Sequence, residues 1–107
     1  MPMKRQASDS LQRIGDQLKR EYLAQKVILF GSYAAGKASR HSDVDILVIA
    51  PTKERFFNRL ASVKRLIRGA RGGLPISPIV HTPKEIEKRK KAGDQFILDI
   101  LAKGIEL

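Results

Sequence analysis

Leu11, Ile14, Leu18 and Tyr22 recur at spacings of three and four, which sets them on one face of a predicted amphipathic helix. Val27 to Phe30 is a short apolar run stopped by Gly31, the pattern of a buried strand. Val44 to Ala50 is a longer run, rich in β-branched residues and closed by Pro51, and predicts a second strand. Thr52 is placed to cap a following helix, in which Phe56, Leu60, Val63 and Ile67 form one apolar face with the basic residues outside it. Gly69, Gly72 and Gly73 end that helix. Ile76 to His81 is a third apolar run, and Pro78 within it assigns this strand to a sheet edge, because proline donates no ladder hydrogen bond.

Thr82, Pro83 and Glu85 fit an N-cap, a proline at the first helical position and the reciprocal member of a capping box. Gly93 interrupts that helix. Asp94 caps a last one, bearing Phe96, Ile97, Ile100 and Leu101 before Gly104. Between the first two strands, Tyr33 to Ala35 predict a short helix ending near Gly36. The order of elements indicates a small sheet packed by helices.

The chain has 107 residues, which predicts a single domain over 1–107 with room for one core. Without cysteine there is no disulfide, thiolate metal site or thiol nucleophile. The longest apolar stretch, Ile46 to Ala50, falls far short of the ~20 residues that span a bilayer. Lys4 and Arg5 lead into Gln6, Ser8, Asp9 and Ser10 rather than an apolar stretch, so no secretory signal is read there. The expectation is a soluble, cytoplasmic protein with no membrane association.

With 21 Lys+Arg against 11 Asp+Glu the net charge is +10. The excess is uneven: residues 53 to 71 hold seven Lys/Arg and one acid. Such a surface attracts phosphate-rich or acidic partners, nucleic acid among them. It is equally the solvated face of an ordinary helix, and no aromatic-interleaved RNA signature accompanies it.

The chemistry concentrates in Phe30 to Ile49, FGSYAAGKASRHSDVDILVI. Gly31 and Ser32 follow a strand directly. Glycine lets a backbone approach a phosphate closely, free N–H groups of a new helical turn present partial positive charge to it, and Ser32 adds a hydroxyl donor. Asp43 and Asp45 are two apart at the start of a strand, so both point to one face with Cα atoms about 6.6 Å apart. Mg²⁺ favours a few carboxylates completed by substrate phosphate oxygens, and this pair beside a phosphate-binding turn fits that preference. Taken singly, Gly-Ser is also a plain turn, and Asp-x-Asp also an exposed strand start.

Together the string G-S-x-A-x-G-x(5)-S-D-x-D-[IL]-x-V, with Gly31, Ser32, Ala34, Gly36, Ser42, Asp43, Asp45, Ile46 and Val48, resembles the minimal nucleotidyltransferases of the DNA polymerase β-like superfamily. The likeness covers about twenty residues directly, and the closing Gly104-Ile105-Glu106-Leu107 is also similar. It implies an α/β (α+β) nucleotidyltransferase fold, a small mixed sheet of three to four strands flanked by helices. Gly31, Ser32 and Ser42 would bind the nucleotide, and Asp43 and Asp45 would ligate Mg²⁺ and serve catalysis. Two positions depart from the family. Ala35 stands where an arginine is usual, and alignment on Thr82 and Pro83 puts Ser77 where a third carboxylate is usual. Serine neither supplies a negative ligand nor acts as a general base near neutral pH.

The resemblance therefore implies transfer of a nucleoside monophosphate from an NTP, ATP foremost, to a hydroxyl, including one on a helical HEPN-type partner protein in a toxin–antitoxin pair. Ser77 motivates an alternative, a catalytically impaired antitoxin that binds a nucleotide or a partner. A third reading is a nucleic-acid-binding module using the basic helix. His41 and Tyr33 are within reach of a nucleotide but read first as an element end and as helix-start packing, and His81 as an element end too far from Ser77 to replace an acid.

Overall fold

A computed structural model describes the backbone of residues 5–107 and side chains from residue 7. Lys4, part of the signal-sequence reading, lies outside the described residues. The first apolar stripe forms α1 (Arg5–Glu21), with Leu11, Ile14 and Leu18 fully buried. Strands β1 (Lys26–Phe30), β2 (Val44–Ile49) and β3 (Ile76–His81) follow the three apolar runs, and a two-residue β4 (Ile105–Glu106) closes the sheet. Strand order is β3-β2-β1-β4. β1 runs antiparallel to β2 and to β4, and β2 parallel to β3, so the sheet is mixed. β3 lies at the edge, the position its Pro78 requires.

Alternation along β1 and β2 splits the core into two layers. Val27, Leu29, Val44, Ile46 and Val48 pack with α1 and with α2 (Phe56–Ile67). Ile28, Leu47 and Ile49 pack on the other face with Ile86 of α3 (Pro83–Lys91) and with Ile97 and Ile100 of α4 (Gln95–Lys103). The last two helices start as the sequence predicts. Thr82 and Glu85 make the reciprocal capping box with Pro83 inside it, and the Asp94 carboxylate accepts from the Ile97 amide at 3.2 Å. Gly93 separates them in the left-handed region at φ +74°.

Two local expectations need correction. Residues 31–36 form consecutive turns rather than a short helix: the Ala35 amide donates to Gly31 O at 3.0 Å, and the Lys37 amide to Ser32 O at 2.9 Å. The helix after β2 begins at Phe56, capped at Arg55 with no side-chain cap bond. Thr52 instead accepts from the Glu54 amide at 3.1 Å, while the Tyr22 hydroxyl donates to Glu54 at 2.7 Å.

The phase of α2 differs accordingly. Its buried line is Arg59, Val63 and Ile67, whereas Phe56 and Leu60, assigned to that line from the sequence, are 54% and 40% exposed. Arg59 takes an inward position because acceptors wait there. Its Nε donates to Glu54 O at 2.9 Å and its guanidinium to Glu85 at 2.7 Å, so its apolar stem can be buried with the charge satisfied.

Candidate active site

Strand pairing assembles the site. The antiparallel register sets Phe30 opposite Asp45, and the parallel register sets Asp45 beside Ser77. These three residues form one row across three strands, on the face that carries Leu47 and Ile49. The turn that leaves β1 begins at Gly31, at φ +74°. A Cβ built there would run into the Asp45 carboxylate. Glycine is thus required at this point twice, by the left-handed backbone and by the carboxylate occupying the side-chain space. The turn and the aspartate, separate in sequence, are in contact.

Among the described residues, the amides of Ser32, Tyr33 and Ala34 donate to no backbone carbonyl. Consecutive unpaired N–H groups in a turn form an anion-binding concavity. Ser32 is half-buried beside them, and Ala35, where a family arginine is usual, is exposed. Tyr33 packs against the α1/α2 core layer from a turn rather than from a helix start.

Asp43 is exposed, just before β2, and Asp45 is half-buried within it. Burial raises the Asp45 carboxyl above the usual carboxylate range, and the neighbouring Asp43 charge raises it further. Neither makes an ion pair or hydrogen bond among the described residues. Two adjacent uncompensated carboxylates fit a divalent cation. No group of three or more His, Asp or Glu that could hold a metal is found among the described residues, so such an ion would need phosphate oxygens to complete its shell. That is the coordination Mg²⁺ favours.

The remaining sequence-selected residues stand apart from this contact. The Ser42 hydroxyl accepts from the Ser39 amide at 2.9 Å and ties the loop before β2. His41 is exposed on the same loop, its amide donating to Ser39. His81 is buried at the far end of β3, 3.5 Å from Glu85. Ser77 is exposed and lines, with Asp43, a cleft of about 450 Å³.

Lys64, Arg68 and Arg71 form the opposite wall of that cleft. In the sequence they belong to a general basic face with no link to the aspartates. Their spacing of four and three was the available signal, but only the α2–β3 return shows that this line of cations overlooks Asp43.

Gly31 and Ser32 thus leave β1 beside Asp45 of the adjacent strand, with Asp43 just before that strand. Residues 11–104 match the family described as nucleotidyltransferase domain, and the chain belongs to that family. It is also 38% identical over 78 residues to a Methanocaldococcus jannaschii protein named "putative protein adenylyltransferase", a match covering 70% of this chain. The chain spans about half of that relative's length, 49%. A Sulfolobus solfataricus crystal structure described as a "putative nucleotidyltransferase" is similar at 26% identity and a TM-score of 0.48, over 82% of this chain and 84% of that one. No helix among the described residues is long and apolar enough to cross a membrane.

Proposed function

We propose that this domain transfers a nucleoside monophosphate, AMP from ATP, to a hydroxyl on a partner protein, with Mg²⁺ held between Asp43 and Asp45. The carrying observation is the Asp45 carboxylate lying over the side-chain-free Gly31, with the Asp43 charge near enough to act on it. The ion would supply neutralisation of the phosphate charge and of the charge that develops as pyrophosphate leaves. The amides of Ser32, Tyr33 and Ala34, which donate to no backbone carbonyl, and the Ser32 hydroxyl bind the triphosphate. Asp43 and Asp45 fix the reacting end against it, so the domain acts mainly by positioning and charge compensation. The relative's name supports a protein as acceptor. The family resemblance supports an antitoxin-type pairing with a helical HEPN-type partner.

One observation favours the alternative. Ser77, in register with Asp45, leaves the β3 side of the row without a carboxylate that could ligate a cation or take the acceptor proton. On that reading the domain keeps the nucleotide and acts by binding. Incubation with α-labelled ATP, Mg²⁺ and a co-encoded partner separates the two. Transfer of label by the wild type, lost in Asp45→Ala, supports catalysis; label that appears only with Ser77→Asp supports the impaired form. Mg²⁺-dependent ATP binding that survives Asp45→Ala would refute both.

A further inference from the structure

The aspartate pair divides two spaces. Asp45 faces the Gly31 turn on the β1 side, and Asp43 lines the cleft on the β3 and α2 side. With the triphosphate over the turn, an attacking hydroxyl must enter opposite the departing pyrophosphate, because attacking and leaving oxygens lie roughly in line. The cleft beside Asp43 and Ser77 lies across β2 from that turn, on the β3 side.

Its chemistry is unbalanced. Lys64, Arg68 and Arg71 face a single acid, Asp43. The ion pairs among the described residues lie elsewhere: Arg59 and His81 with Glu85, Arg89 with Asp94, and Lys90 with Glu87. Lys64 and Arg68 make no hydrogen bond among the described residues, and Arg71 spends one donor on Leu74 O at 3.1 Å. Three cations with spare donors call for carboxylates or phosphates. No aromatic ring lines the cleft, so it lacks the stacking platform that single-stranded RNA uses. Its apolar floor of Ile67, Pro75 and Ile76 suits a polypeptide backbone better than a row of bases.

We propose that this cleft docks the acceptor, and that the acceptor is a hydroxyl residue within an acidic segment of a protein. The proposal rests on the nucleotidyl-transfer reading and names its second substrate class. In the transfer the hydroxyl oxygen bonds to the α-phosphorus, and the bond from that phosphorus to the oxygen bridging to the β-phosphate breaks. Pyrophosphate departs with the electron pair, and the hydroxyl proton passes to water in the open cleft.

The test uses three fluorescent peptides of one length carrying Ser, Thr and Tyr: one flanked by Asp and Glu, one by Asn and Gln, one by Lys. An oligouridylate is added as a fourth probe. Binding is read by anisotropy in low salt without nucleotide, for the wild type and for Lys64→Glu/Arg68→Glu. Two exposed charge contacts predict a preference of about two- to thirtyfold for the acidic over the neutral peptide, abolished by the double reversal. ATP affinity in Mg²⁺ stays within about twofold of wild type in that variant, because the phosphates sit on the other side of the aspartates. Folding is checked by circular dichroism, with Lys64→Gln/Arg68→Gln as a milder second variant. Equal binding of acidic and neutral peptides overturns the proposal, as does tighter binding of the oligouridylate. Loss of ATP affinity in the reversal also overturns it, by assigning the cations to the triphosphate. Because anisotropy needs no turnover, acidic-peptide binding without ATP-dependent transfer would count against the catalytic reading and leave the docking surface standing.

Discussion

Gly31→Ala, paired with Gly73→Ala, isolates the contact on which the site depends. Both glycines are left-handed, at φ +74° and +82°. A Cβ at Gly73 meets nothing within 4 Å, while one at Gly31 meets the Asp45 carboxylate. Each substitution places an L-residue in the left-handed region at about 1–2 kcal/mol. In a domain of this size each kcal/mol lowers the Tm by about 4–8 °C. Gly31→Ala must also displace a carboxylate, and moving it off its rotamer adds about 0.5–1.5 kcal/mol. Gly31→Ala should therefore melt about 2–12 °C below Gly73→Ala. Function should separate them widely. A displaced Asp45 costs about 1.5–3 kcal/mol of a charge-assisted interaction, or about tenfold to hundredfold in Kd for ATP in Mg²⁺ by titration calorimetry. Gly73→Ala should bind as wild type does. If Gly31→Ala also bound ATP with wild-type affinity, Asp45 would have no part in holding the nucleotide.

Three further outcomes follow from the packing. Arg59→Ala removes the guanidinium bonded to Glu54 O and Glu85 and should cost about 1–3 kcal/mol by urea unfolding, below the range for a wholly buried pair because Glu85 is part-exposed. Burial works to raise the Glu85 carboxyl, but hydrogen bonds from Arg59 and the Thr82 amide, with the Arg59 charge, outweigh it and hold it at about 2 against an ordinary 4.5. Since the folded value is the lower one, this stabilisation is full above pH 4.5 and is lost as pH falls toward about 2; Glu85→Gln should show a flatter urea-midpoint profile across that window. Phe57, 86% exposed, should tolerate Phe57→Ser within about 0.5 kcal/mol by the same assay.

The first three strands and three of the helices were legible in the sequence because their burial obeys local rules, whereas the exposed two-residue β4 carries no such signal. Leu11, Ile14 and Leu18 recur with the helical period, Val44 to Ile49 is too apolar for anything but a covered strand, and Thr82 to Glu85 form a cap from their own atoms. Pro78 even located β3 at the edge, since a missing donor is tolerated only there. The failures lie where a distant group decides. Period alone made Phe56 and Leu60 the inward line of α2, but the acceptors that draw Arg59 inward come from Glu54 O and from Glu85. A charged side chain with satisfied donors thus displaces two apolar ones from the buried line. The site divides in the same way. Gly31, Asp43 and Asp45 could be selected from residue type and spacing, whereas the contact between the Gly31 turn and Asp45 depends on β1–β2 register. The cationic wall depends on how the chain returns from α2 into β3, which sets Arg71 and Ser77 around one cleft. Spacing along one element can nominate ligands for a cation. Only the pairing of separate elements sets which groups stand across from those ligands.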